Sequence, residues 1–191
     1  MQIRTLEHVK PRLVDTVAII GPGSVGLYHL QAFRSAGASF VIVIGLDQDA
    51  KRLEIAEKLG ADYIINATRE DVVKRVRGLT SGLWCDIVVE TANHPSTAGQ
   101  AIDLASADGR VMLFGLYPNA TISPLSLMRS GLSVMGDVAT TPRGYQRAIR
   151  WVQYKKVSAQ ALITRKFGLD MAREAFEAFS EGQSVKVLFE M

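Results

Sequence analysis

Thr16-Val17-Ala18-Ile19-Ile20-Gly21-Pro22-Gly23-Ser24-Val25-Gly26 is the stretch on which the fold turns. Its first half is a short run of β-branched and small apolar residues with no polar face, the pattern of a strand covered on both sides. Its second half is a glycine-rich turn that opens a segment of helical period from Val25 to Ser35. A strand that passes through glycines into a helix is the first half of a βαβ unit.

Outward from this stretch the same rhythm repeats. Strand-like runs at Thr16–Ile20, Phe40–Ile44, Tyr63–Asn66, Cys85–Glu90, Arg110–Phe114 and Leu132–Met135 alternate with helical segments at Val25–Ser35, Ala50–Leu59, Glu70–Arg77 and Ser96–Ala105. Gly37, Gly60, Gly78 and Gly109 stand near the helix ends, where glycine stops a helix. Such alternation predicts an α/β fold, a doubly wound six-stranded parallel sheet of Rossmann type. The Gly115–Gly131 connection holds Pro118, Pro124 and room for only a short helix at Leu125–Arg129. A helix at Arg143–Tyr154, an extended Leu162–Phe167, a helix at Asp170–Ser180 and a strand-like Val185–Phe189 complete the chain. Residues 1–15 read as a lead-in, 16–157 as the dinucleotide-binding domain and 158–191 as a tail outside the βα rhythm. Within that tail, Ala161-Leu162-Ile163-Thr164 calls for a partner surface.

Composition narrows the classes. The chain has 191 residues, 48% of them hydrophobic and 21% charged, which excludes a disordered chain and a charge-rich coiled coil. Its net charge of +3 is interspersed, so neither a nucleic acid nor a membrane surface is expected as partner. The single cysteine, Cys85, allows no internal disulfide and no paired-cysteine zinc motif, and a reducing, cytoplasmic compartment is expected. Residues Met1 to Asp15 are charged throughout and have no apolar run, unlike a signal peptide or a spanning helix.

Gly21-Pro22-Gly23-Ser24-Val25-Gly26 has the G-x-G-x-x-G spacing of a dinucleotide fingerprint, in the strand-to-helix context the fingerprint requires. Gly21 makes the tight turn, Gly23 lets a pyrophosphate approach the backbone and Gly26 lets helix and strand pack closely. The Ser24 and Val25 N–H groups then face the anion at the positive helix end. An acidic residue that grips the adenosine ribose is expected about 20 residues on. That count lands on Gly45, with Asp47 and Asp49 just beyond. Asp47 tilts the choice slightly toward NAD, whereas Lys51 or Arg52 would greet the 2′-phosphate of NADP, so the choice between the two stays open.

These blocks resemble the cofactor domain of the medium-chain dehydrogenase/reductase family, in its zinc alcohol, sorbitol and threonine dehydrogenase-like branch. The likeness runs from Thr16–Gly26 through Arg52–Asp62, Cys85–Ala92 and Gly109–Leu116 to Ala175-Phe176 and Val185-Lys186-Val187. The resemblance implies pyrophosphate contacts at Ser24 and Val25 and adenosine-side contacts at Asp47, Arg52, Thr91, Ala92 and His94. It also implies nicotinamide contacts at Phe114, Gly115, Leu116, Asp137 and Val138, and a basic residue near the pyrophosphate at Lys186. Two departures stand out: a longer loop after the second strand, and Asn93 in place of a frequent glycine after the fourth.

Full-length members carry a preceding catalytic domain that supplies the zinc ligands, and zinc is expected only there. Cys85, His8, His29 and His94 make no ligand cluster by spacing. Cys85 reads as a buried thiol, His29 as a packing or surface residue and His94 as an adenine-stacking or loop-capping residue. The chain is therefore expected to be a cofactor domain, excised or naturally split, that binds a nicotinamide dinucleotide without turning over an alcohol. Its start at Met1-Gln2-Ile3-Arg4 fits a cut just before the first strand. In the parent enzyme, zinc would polarise an alcohol or polyol and a hydride would pass to the nicotinamide. The resemblance implies that the 158–191 tail normally packs on the catalytic domain, so that an apolar patch at Leu162–Phe167 is left half uncovered by residues 1–157 and would invite association, and the sixth-strand edge at Leu132-Ser133-Val134-Met135 predicts a homodimer. The alternatives are the cofactor domain of a zinc-free NADPH quinone or enoyl reductase and a non-catalytic NAD(H)-sensing module. A methyltransferase shares the glycine loop but not the blocks after residue 110.

Overall fold

Alternate residues of the first strand leave in opposite directions, and both directions are apolar. In the computed structural model, which describes residues 2–137, 139–182 and 184–191, Val17 and Ile19 enter one core cluster and Ala18 and Ile20 enter another. All four are buried, as a strand with helices on both faces demands. The strands are β1 (Thr16–Ile20), β2 (Phe40–Gly45), β3 (Tyr63–Asn66), β4 (Cys85–Glu90), β5 (Ala105–Leu113) and β6 (Ser133–Gly136). They pair in parallel in the order β3-β2-β1-β4-β5-β6, the doubly wound topology expected from the alternation.

Register puts the ends of five strands in one row. Ile20 stands opposite Ile44 on one side and Glu90 on the other, Glu90 opposite Leu113, and Leu113 opposite Gly136. Every loop that follows this row therefore opens on the same rim of the sheet. The crossover helices are α2 (Ser24–Ser35), α3 (Ala50–Lys58), α4 (Val72–Leu79), α5 (Ser96–Asp103), the short α6 (Pro124–Ser130) and α7 (Pro142–Gln153). The Asp71, Ser123 and Thr141 side chains accept the backbone N–H three residues on, at the starts of α4, α6 and α7. Pro124 and Pro142 occupy the first turns, where a missing N–H costs nothing. These caps move the observed helix starts by a residue or two from the periodicity.

The two ends of the chain differ more from expectation. The lead-in contains a helix, α1 (Gln2–Val9), that packs on the sheet through tertiary contacts. Arg110 on β5 donates to the Val9 and Lys10 carbonyls at 2.7 and 2.8 Å and pairs with Asp15 at 2.9 Å. The tail keeps the βα rhythm: β7 (Ile163–Gly168), α8 (Ala172–Ser180) and β8 (Lys186–Glu190) form a βαβ unit with its own parallel pair. Leu162 and Val185 are buried in the larger core cluster, so the partner that Ala161–Thr164 calls for is the main domain itself. Gln31 on α2 accepts the Ser158 N–H at 2.6 Å, fastening the tail's start. The exposed apolar surface of the tail lies further on, at Leu169 and Phe176.

His29 lies inside this packing. Its Nδ1 stands 2.9 Å from the Val25 carbonyl, which can only accept, so Nδ1 carries the proton and Nε2 accepts from the Thr5 hydroxyl at 2.9 Å. The ring also lies against Phe114, centroid to centroid 4.9 Å. Burial pushes its pKa from 6.5 down to about 3. Cys85, buried in the other cluster, has its thiol pushed up to about 12 by burial and by Asp86, which makes it a packing group.

His29 thus makes stability fall with acidification. Below about pH 6.5 the unfolded chain takes up a proton that the folded chain refuses until about pH 3, so the unfolded state binds more protons throughout that window. The expected cost approaches ~1.4 kcal/mol per pH unit. Urea midpoints measured from pH 7.5 to 4.5 should fall more steeply for the native chain than for His29→Gln; equal slopes would contradict this account.

Candidate functional site

The rim of strand ends carries a cleft of about 700 Å³. Its floor is the turn from β1 to α2, and its walls come from the tips of β2 and β4, the start of α5 and the tail. A volume of this size accommodates a small-molecule or cofactor ligand, and its place between β1 and β4 is the topological switch point, where the strand order reverses.

The glycine loop forms the floor. A Cβ on Gly26 would run into the Gly21 carbonyl oxygen and stand 3.1 Å from Thr91 Oγ1, so glycine is what lets α2 seat against the loop. Gly23 differs: among the described residues, its chain neighbours apart, nothing lies within 4 Å of where its Cβ would stand. Gly23 is also the N-cap of α2 and offers no side chain to the first-turn amides. Ser24 and Val25 line the cleft at that positive helix end.

The β2 tip is where the ribose carboxylate is expected. A side chain at Gly45 would make the Pro22 ring or Leu53 shift, because a Cβ there would meet them at 2.9 and 3.0 Å. Asp47 turns away from the cleft wall, with Oδ1 2.7 Å from Asn66 Nδ2 and 2.6 Å from Arg69 Nε. Asp49 takes its place in the wall, accepting the Leu46 N–H at 3.1 Å and pairing with Arg52 at 3.2 Å. Arg52 also lines the cleft, and its second terminal nitrogen donates to the Ser184 carbonyl at 2.8 Å. Its Nε is shut off from solvent and has no hydrogen-bond partner among the described residues.

At the β4 tip, Thr91 donates its hydroxyl to the Ile20 and Gly21 carbonyls, both at 2.9 Å, and is a staple on the glycine loop. Ala92, Asn93 and His94 line the cleft. His94 Nδ1 lies 2.8 Å from Ser96 Oγ and 3.4 Å from the Ser96 N–H, which fastens the loop before α5.

The β5 loop at Phe114, Gly115 and Leu116 lies beyond the cleft wall and is tied to the β4 tip by Glu90, a residue the motif reading passes over. This fully buried carboxylate accepts from Ala92 N at 2.6 Å, Thr97 Oγ1 at 2.8 Å, Gly115 N at 3.0 Å and Tyr117 Oη at 3.2 Å. Burial, with Glu90 beside it, pushes the Tyr117 hydroxyl up to about 12, so it remains a donor. The Phe114 N–H donates to the Glu90 carbonyl at 2.8 Å and the Leu116 N–H to Asn93 Oδ1 at 2.9 Å. Asp137 is buried after β6 and pairs with Arg4 of α1 at 3.3 Å. Val138 lies outside the described residues. Lys186 is exposed on β8, outside the wall, whereas its neighbour Val185 and Phe179 of α8 are part of it. The tail's share of the cleft had no signal in the local pattern.

Metal ligation does not fit these residues. Among the described residues no three of His, Cys, Asp or Glu come together as a ligand group. Cys85 and His29 are both buried in packing roles.

The two glycines predict opposite outcomes on stability. Gly26→Ala should lower the melting temperature by several degrees, since either the loop or α2 must shift to admit the methyl group. Gly23→Ala should cost no more than about 1 kcal/mol, the scale of a changed N-cap. Thermal melts of both variants check this, and equal losses would refute it.

Comparison with known proteins agrees with this architecture. The zinc-binding dehydrogenase family matches residues 24–154. A D-arabitol-phosphate dehydrogenase of Enterococcus avium is 33% identical over 180 residues, covering 93% of this chain and 51% of that protein. A sorbitol dehydrogenase of Halalkalibacterium halodurans is 32% identical over 176 residues, covering 91% and 51%. Among solved structures, an Escherichia coli alcohol dehydrogenase complexed with NADH superposes with a TM-score of 0.90 at 25% identity, covering 100% of this chain and 56% of that one. A Sinorhizobium meliloti protein described as a zinc-binding dehydrogenase and bound to NADP gives 0.87 at 27% identity, covering 99% and 56%. The chain spans about half the length of the curated relatives it matches. With the family's own segment matched over most of its length, the chain belongs to the zinc-binding dehydrogenases, a branch of the medium-chain dehydrogenase/reductase family.

Proposed function

We propose that this chain is the nicotinamide dinucleotide-binding half of an alcohol or polyol dehydrogenase, and that its cleft takes the pyrophosphate at Gly23, Ser24 and Val25. The observation that carries the reading is the contrast between the two glycines. Protein packing requires Gly26, but none of the described residues beyond its chain neighbours crowds Gly23, where a bare backbone and uncapped helix amides face the cleft. An anion pressed against that backbone gives glycine its reason. Relatives with NADH or NADP bound support the same ligand class.

The adenosine then lies between the β2 tip, Thr91-Ala92, His94 and the tail, and the nicotinamide extends toward Phe114–Leu116 and Asp137. This follows the general order in which the two halves of a doubly wound sheet each take one nucleotide. Lys186, next to Val185 in the wall, is available to the pyrophosphate only through its flexible stem. NAD is the preferred form. A 2′-phosphate at the β2 tip would approach the Asp49 carboxylate, while both terminal nitrogens of Arg52 are already engaged and its Nε is sealed. Zinc, which the family name implies, would be held by residues outside this chain, and alcohol oxidation with it. The exposed Leu169 and Phe176 face of the tail is read as surface that the rest of the enzyme covers.

Fluorescence titration of the purified chain tests the reading. NADH should bind with enhanced nicotinamide emission, roughly tenfold or more tighter than NADPH, and Gly23→Ala should lose binding while staying folded. A folded chain that binds neither dinucleotide would overturn it.

The β6 edge supports a second element of the proposal. Ser133–Gly136 is the last strand of the sheet in the described residues, with one pairing side used by β5. A second copy pairing there would continue the sheet across a two-fold axis. Sedimentation equilibrium at micromolar concentration should then show a dimer; a monomer would refute it.

A further inference from the structure

Asn93 follows the β4 tip in a turn that a glycine could also make. Its φ is +58°, a left-handed conformation that glycine takes freely and asparagine takes more readily than most residues. The backbone turn is therefore preserved. What asparagine adds is Oδ1, which accepts the Leu116 N–H at 2.9 Å. Leu116 is 73% exposed, so its amide is held by this one carboxamide at the surface of the domain. Asn93 itself lines the cleft, whereas Leu116 lies beyond it. A single side chain thus spans from the cleft wall to the loop after β5.

The loop has few other restraints near this point. Gly115 N and Tyr117 Oη are fixed by Glu90, and both of those bonds, like that of Asn93, originate at the β4 tip. Glu90 is buried and holds the root of the loop; Asn93 holds its outer side. Without Asn93, the Leu116 amide would return to water and the loop would pivot on Gly115.

We infer that Asn93 is a positioning residue for the nicotinamide end of the cofactor: through the Leu116 N–H it sets the loop after β5 in the arrangement that receives the ring. The inference rests on the dinucleotide reading of the cleft. It assigns Asn93 to the nicotinamide half, although its place in the wall beside Ala92 and His94 suggests the adenosine half.

The test compares the native chain with Asn93→Gly, which retains the left-handed backbone and removes only the carboxamide. NADH and ADP-ribose are the probes, since ADP-ribose has the whole cofactor except the ring. Loss of one hydrogen bond should weaken NADH roughly threefold to tenfold, leave ADP-ribose affinity unchanged and reduce the enhancement of nicotinamide emission. Amide hydrogen exchange, measured without ligand, should show Leu116 protected in the native chain and exposed in the variant. Equal weakening of NADH and ADP-ribose would assign Asn93 to the adenosine side and overturn the inference. Faster Leu116 exchange with NADH affinity intact would also overturn it, reducing the bond to a structural tie. If the native chain binds neither probe, the dinucleotide reading itself fails, an outcome distinct from native binding that the variant leaves unchanged.

Discussion

The close approach of α2 to β1 at Gly26 is the contact on which the rest of the site depends. There is no room for a side chain between Gly26, the Gly21 carbonyl and Thr91, and Thr91 spends its hydroxyl on the Ile20 and Gly21 carbonyls. Buried carbonyls need donors, and a strand that ends in a glycine turn leaves two of them facing the neighbouring strand. Thr91 supplies the donor from β4. The glycine loop is therefore fastened from both sides, by α2 above and by the β4 tip beside it. Its backbone at Gly23 is held on either side yet left uncovered by other described residues.

From Thr91 the same logic passes outward along β4. Glu90 is a charge-bearing side chain at the end of an otherwise apolar strand, and its burial is tolerable only because four donors converge on it. Those donors come from the β4 loop, from α5 and from the loop after β5, so satisfying one carboxylate fixes three segments relative to one another. Asn93 extends the tie by one bond. Thr91 ties the β4 tip to the end of β1, across the two halves of the sheet, whereas Glu90 and Asn93 tie the β4 tip to α5 and to the loop after β5 within one half.

The sheet was legible because the central strands β1, β2 and β4 are apolar runs covered on both faces, and the glycine spacing was legible because three different steric demands fall at fixed offsets. At the starts of α4, α6 and α7 a cap residue, Asp71, Ser123 or Thr141, overruled periodicity. Less was legible where the determining contacts are remote in sequence. Helix α1 is short, and it is fastened by Arg110 and His29 from far along the chain. The tail's strand, helix and strand were legible as elements, but their docking on the main core through Leu162 and Val185 was not, because those contacts are remote in sequence. At the β2 tip the count landed on Gly45 and favoured Asp47 beyond it, yet Asn66 and Arg69 draw that carboxylate outward and the capping geometry of the next turn brings Asp49 inward. Spacing along a chain cannot report which of two neighbouring carboxylates a third strand will claim.

The tail's attachment also alters what Arg52 can do. An arginine near the ribose is ordinarily read as a receiver of phosphate, because its planar fork matches that anion. Here one arm of the fork meets Asp49 and the other meets the Ser184 carbonyl, 132 residues away in sequence. Releasing Arg52 to a ligand would break a charge-assisted bond and a link to the segment that brings Phe179 and Val185 to the cleft. Arg52 is thus a strap between the β2 tip and the tail.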